Sequence, residues 1–185
     1  MRHVLTFVVA VGAAAAVGAA DEAPVRLEAS ACAGLKGFEI PAKAFGLPTT
    51  GAVVQSAVAV RASEETNVNG SFCRVTGIVK PVSASAQNLE FEVNLPLAWN
   101  RRVLQMGGGG YDGSLVTGLT QYTLQPTDAE TPLRQGYVTL GSDGGHKGKP
   151  GFDGTFGLDD ETLANYGKQS VKKAQIGRAS CRERV

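Results

Sequence analysis

From residue 51 to residue 143 the apolar positions fall in short runs divided by polar or glycine-rich breaks, a spacing that predicts strands rather than long helices. Residues 52–60 are β-branched and bounded by Gly51 and a polar run at 63–70, and residues 72–79 form a second run of the same kind. Residues 89–95, Leu-Glu-Phe-Glu-Val-Asn-Leu, alternate apolar and polar, which predicts a strand with one wet face. These three read as antiparallel strands on the edge of a sheet. Pro96 stops the third, and Trp99, the sole tryptophan, is expected to plug an apolar corner beneath the next strand. Residues 103–106 and 136–143 predict two short buried strands. The first runs into Gly107-Gly108-Gly109-Gly110, the second into Gly144-Gly145-His146. Asp159-Asp160-Glu161 opens a helix expected to reach about Lys173, its acidic start and basic end complementing the macrodipole. Two buried strands joined by a loop or short helix, with a helix after the second, suggest the parallel part of an α/β sheet.

Composition changes this picture at both ends of the chain. Residues 1–20 carry a short polar start at Arg2 and His3, an Ala/Val-rich apolar core and small residues before Asp21, the layout of a secretory signal. The mature chain is then expected to begin near Asp21 in an oxidising compartment, secreted or periplasmic, with no membrane association once the signal is removed. Residues 21–50 read as an extended segment with turns. In an exported protein Cys32 and Cys73, both in the body, are expected to pair. The last eleven residues, 175–185, resemble residue for residue the one-frame translation of a common sequencing-library adapter. They are given no function and no place in the fold, and Cys181 goes with them. Removing Arg2 and the net +2 of that tail takes the formal charge of +1 to −2 for the body, which offers no electrostatic case for nucleic acid.

The chemistry centres on the four glycines. Such a run persists where backbone must adopt φ > 0 or lie close to another group, and N–H groups gathered at a strand end can bind a phosphate or the oxyanion of an acyl-transfer transition state. Ser142 also sits at a strand end, but a nucleophile elbow needs a helix to start at once behind the serine, and residues 144–157 read as loop; Ser142 is therefore expected to be a turn residue. His146, the one histidine of the mature body, reads as a structural residue pinning its own loop. Asp112, Asp153, Asp159 and Asp160 lack calcium-loop spacing and read as a solvated loop and a helix start.

Four motifs then carry a resemblance: Cys73-Arg74-Val75-x-Gly77; Phe91-Glu92-Val93-x-Leu95-Pro96-x-x-Trp99-Asn100; Leu104-Gln105-x-Gly107-Gly108-Gly109-Gly110; and Gly136-Tyr137 followed by Ser142-Asp143-x-Gly145-His146. In this order they resemble the tannase and feruloyl esterase family over residues 32–174. The resemblance implies a secreted α/β-hydrolase with a Ser-Asp-His triad, a lid domain inserted in the fold, small aromatic (galloyl, feruloyl or related) esters as substrates, and again a Cys32–Cys73 bridge. It implies one oxyanion N–H at Gly109, with Gly108 and Gly110 letting the backbone approach. The family's Cys-Ser-x-Gly-Gly elbow is expected past Lys173, outside this chain. Residues 21–174 are thus expected to be the N-terminal part of an α/β-hydrolase sheet, antiparallel strands leading into parallel ones, truncated before the elbow and inert alone. No cofactor is implied beyond a structural calcium that the missing lid leaves open, and no oligomeric state is implied. The competing reading is a secreted β-rich binding module whose glycine turn merely closes a loop.

Overall fold

The computed structural model describes residues 24–121, 125–126, 128–148 and 153–183; the expected signal at 1–20 lies outside them. Three long antiparallel strands build the centre: β3 (Gly51–Val60), β4 (Phe72–Lys80) and β5 (Leu89–Pro96). Ahead of them come β1 (Val25–Arg26), the short helix α1 (Ala29–Ala33) and β2 (Glu39–Ile40). After them come β6 (Ala98–Trp99), β7 (Val103–Gln105) and β8 (Val138–Ser142). The main sheet has six strands in the order β2-β3-β4-β5-β8-β7, and β1 pairs with β6 in a separate ribbon. Among the described residues, β7 and β8 of the main sheet run parallel and its other neighbours antiparallel. The expected mixed sheet is therefore present, antiparallel first and parallel last.

Behind β8 the chain turns through a 3-10 turn (Thr155–Leu158) into α2 (Asp160–Ala164), a π-helical turn (Asn165–Gln169) and α3 (Ser170–Arg182). Asp159 caps this run, its carboxylate accepting from the N–H of Thr162 at 2.8 Å. The helix lies across β5 and β8. Phe91 is its anchor: the buried ring packs at Gly77 of β4, where a Cβ would come within 2.5 Å of it, and at Gly177 of α3, where a Cβ would lie 3.3 Å away. The Cys32–Cys73 bridge is formed, tying α1 to the middle of the sheet.

Four expectations need correction. β5 is not on the sheet edge but between β4 and β8. Nor is its polar face wet beyond Glu90, whose side chain is 37% exposed, because Glu92 and Asn94 are 4% and 0% exposed. The 114–118 segment folds over that face: Asn94 Nδ2 donates to the Thr117 carbonyl at 2.6 Å, and a Cβ on Gly141 would fall 2.2 Å from the Val116 carbonyl oxygen. Conversely β7, read as buried from its apolar composition, is the outermost strand, with Val103 38% exposed. Finally, the tail, described as far as Glu183, has a place after all. It continues the helix to Arg182, buries Cys181, and lays the Arg182 guanidinium 3.8 Å from the centre of the Trp99 ring. Trp99 packs partly buried against the core, as expected, with that guanidinium over its ring, and its Nε1 donates to the Arg102 carbonyl.

Candidate active site

The glycine run leaves β7 at Met106, whose N–H donates to the Leu140 carbonyl of β8 at 2.8 Å. All four glycines are exposed. Among the described residues their N–H groups donate to no protein acceptor. The turn itself is closed by the Asp112 N–H donating to the Gly109 carbonyl at 3.0 Å, with Gly110 at φ 62° and Asp112 at φ 61°. A positive φ explains glycine at 110. At Gly108 the reason is space: a Cβ there would lie 2.0 Å from Asp112 Oδ1. Gly107 and Gly109 have nothing within 4 Å of a Cβ.

Asp112 corrects the reading of a solvated loop aspartate. Its carboxylate lies between Gly108 and Gly144, and Oδ1 is buried without a hydrogen-bond partner among the described residues. Burial holds its pKa above the ordinary carboxylate value, opposed by the nearby His146. The other acidic candidates stay apart from it. Asp153 accepts from the Thr155 N–H, while Asp159 accepts from Ser85 and from the Thr162 N–H, bonds that hold its pKa down to about 2. No group of three or more His, Cys, Asp or Glu among the described residues converges as a metal site.

The β8 end of the site is made by Ser142, Asp143 and His146. Asp143 stitches its turn to β5, with Oδ1 accepting from the N–H groups of Glu90 at 3.0 Å and Gly145 at 2.9 Å. Burial raises its pKa; those bonds and Lys147, 3.3 Å from Oδ2, act against the rise. Lys147 also pairs with Glu90. Burial alone would lower the Lys147 pKa, but its two carboxylate partners leave it raised. Ser142 is 9% exposed, its Oγ 3.5 Å from the Gly144 N–H, and among the described residues the first helical turn after it begins at Thr155. His146 is 1% exposed and is held by rings rather than hydrogen bonds. It stacks on Phe156 at 3.9 Å and meets Tyr166 edge-on at 5.6 Å, and neither nitrogen has a hydrogen-bond partner among the described residues. Tyr166 in turn donates its hydroxyl to the Gly110 carbonyl at 3.2 Å.

The structure therefore brings Gly108–Gly110, Ser142 and His146 to the adjoining ends of β7 and β8. Asp112 and Tyr166 complete the group, and neither was singled out for this place from sequence. Asp112 could have been suspected from its position two residues beyond the run. Tyr166 carries no sequence signal, because only the π-helical turn presents it to the glycines.

The model of the family described as "Tannase and feruloyl esterase" matches residues 73–182. An uncharacterized esterase of Agrobacterium fabrum is 44% identical over 145 residues, a match covering 78% of this chain and 26% of that protein. A mono(2-hydroxyethyl) terephthalate hydrolase of Piscinibacter sakaiensis is 29% identical over 134 residues, covering 68% and 21% respectively. The chain thus spans about a quarter of the length of these curated relatives. Among solved structures, feruloyl esterase B of Aspergillus oryzae superposes with a TM-score of 0.55 over 85% of this chain and 29% of its own, at 22% identity. That likeness carries the fold: this sheet is of the α/β-hydrolase type. With the strand order, the bridge and the glycine run all in place, the chain belongs to the tannase and feruloyl esterase family.

Proposed function

We propose that this chain is the part of an exported serine ester hydrolase that carries the oxyanion turn, acting on small aromatic esters of the galloyl, feruloyl or terephthaloyl kind. The observation that carries the reading is the row of exposed glycine N–H groups at the tip of β7, which no described protein group accepts from. In acyl transfer a serine hydroxyl, deprotonated by a histidine, adds to the ester carbonyl, and the carbonyl oxygen takes up negative charge. The Gly109 N–H stabilises that charge, with the N–H of the residue after the serine as the second donor; one such donor is worth about 3–4 kcal/mol. Gly108 and Gly110 let the backbone approach.

The serine, its histidine and its acid come from sequence beyond residue 174 under this reading. Ser142 is buried with no helix over residues 143–148 behind it, and His146 is walled by Phe156 and Tyr166 rather than aimed at a hydroxyl. Export agrees with the formed Cys32–Cys73 bridge, since disulfides persist in oxidising compartments. A β-rich binding module is disfavoured by the parallel β7–β8 pair and by the helix laid across the sheet.

The test is to follow the source gene past the codon for residue 174 and to assay both products on methyl gallate, methyl ferulate and mono(2-hydroxyethyl) terephthalate. The continued protein should hydrolyse at least one ester through a serine set between a strand and a helix, and the 185-residue chain should hydrolyse none. Turnover by the short chain that is lost in Ser142→Ala would overturn the assignment of the nucleophile. A continued chain without such a serine would remove the enzyme.

A further inference from the structure

An oxyanion donor works only if its peptide plane is already aimed, because a plane that must turn during reaction gives back what the hydrogen bond contributes. A run of four glycines is the backbone least able to aim itself. Two carbonyls of this turn are nevertheless held. The Gly109 carbonyl accepts from the Asp112 N–H, which fixes the 109–110 peptide and so the direction of the Gly110 N–H. The Gly110 carbonyl accepts from the Tyr166 hydroxyl at 3.2 Å, which fixes the next peptide and limits the freedom of Gly110 itself.

Tyr166 reaches that carbonyl because of where the helix changes pitch. It is the second residue of the π-helical turn Asn165–Gln169, and turns of this kind recur at functional sites because one extra residue re-aims a side chain. The turn is locked from both sides. Asn165 is buried against Gly145, where a Cβ would lie 2.8 Å from its own Cβ, and its Oδ1 accepts from the buried Lys173 ammonium at 2.7 Å. The Tyr166 ring packs edge-on against Phe156 at 4.8 Å and against His146. His146, stacked on Phe156, is thereby the wall that fixes the phenol's angle, and Asp112 beside it supports Gly108 from below.

We propose that Tyr166 is a positioning residue for the glycine turn: its hydroxyl, swung toward β7 by the π-helical turn and braced by His146 and Phe156, holds the Gly110 carbonyl and with it the aim of the neighbouring N–H groups. The proposal rests on the oxyanion reading of that turn. Tyr166→Phe keeps the ring and its packing and deletes only the hydroxyl.

In the 185-residue chain the amide order parameters of Gly110 and Tyr111 should fall from about 0.85, the value of rigid backbone, to below about 0.6. The melting temperature should move by less than about 4 °C, since a single partly exposed hydrogen bond adds little to net stability. In the continued, ester-hydrolysing protein kcat should fall about tenfold with KM within about twofold, a fraction of the hundredfold or more lost when a donor is deleted. Unchanged order parameters would overturn the clamp. Loss of order with kcat unchanged would overturn the positioning role, because the peptides held carry the N–H groups of Gly110 and Tyr111 and the clamp would then not reach the Gly109 N–H; the oxyanion reading itself would stand or fall with Gly109. Tyr166→Leu, which also removes the ring, should lower the melting temperature as well; equal effects of the two variants on order and on melting would make Tyr166 a packing residue and overturn the proposal.

Discussion

The two halves of the sheet are held by different means. On the antiparallel side β3, β4 and β5 pair over most of their length, bury Val54, Val75, Val79, Phe91 and Val93, and are stapled by Cys32–Cys73. On the parallel side β7 has three residues, lies on the outside and ends in a turn fixed by one carboxylate, two carbonyl hydrogen bonds and a group of rings. Apolar burial makes the first half a scaffold. Sparse polar and aromatic contacts leave the second half's glycine N–H groups exposed and without a protein acceptor among the described residues, which is what the proposed oxyanion turn requires and what a packed core forbids. Stability and site are thus divided across β5 and β8.

The largest effect should come from the scaffold. Phe91→Ala removes the ring that contacts both Gly77 of β4 and Gly177 of α3, and should cost about 3–5 kcal/mol in urea unfolding. Opening the bridge with Cys32→Ser and Cys73→Ser together should cost about 3–4 kcal/mol for the 41-residue separation. If either change leaves the urea midpoint where it was, the antiparallel half is not the scaffold.

The site half sharpens the contrast on a smaller scale. Gly108→Ala drives a Cβ onto the Asp112 carboxylate and should cost about 1–3 kcal/mol. Gly109→Ala, with open space at the Cβ and a φ outside the left-handed region, should stay within about 0.5 kcal/mol. Equal costs at the two positions would mean that the turn is a featureless loop.

Smallest is a pH effect at the junction of the halves. Burial holds Lys173 below the usual lysine range, with Glu161 opposing it. The folded pKa is then the lower one, so between it and the ordinary 10.5 the unfolded chain binds more protons and stability rises with pH. Lys173→Met should flatten that rise in unfolding free energies measured across the alkaline range.

What the sequence shows of all this follows from which contacts are local. The runs at 52–60, 72–79 and 89–95 announce strands because β-branched alternation and turn residues lie in adjacent positions. The glycine run announces itself for the same reason. Glu92 and Asn94 mislead because the segment that covers them, residues 114–118, joins them only in space. Val103 misleads in the opposite sense, since three apolar residues do not say whether another strand lies outside them. The roles of Asp112 and Tyr166 could not be read at all. One depends on the closeness of Gly108 and Gly144, the other on a change of helical pitch that brings a phenol 56 positions away to Gly110. The helical tail shows a further limit: residues resembling translated adapter still form a helix that buries Cys181, whose thiol burial pushes up to about 12.

The most direct measurement is a crystal structure of the continued protein inhibited by an aryl boronic acid, which places a tetrahedral oxygen where the oxyanion forms. That oxygen should lie about 2.7–3.1 Å from the Gly109 nitrogen. An oxygen outside hydrogen-bonding reach of every nitrogen from Gly108 to Gly110 would contradict it.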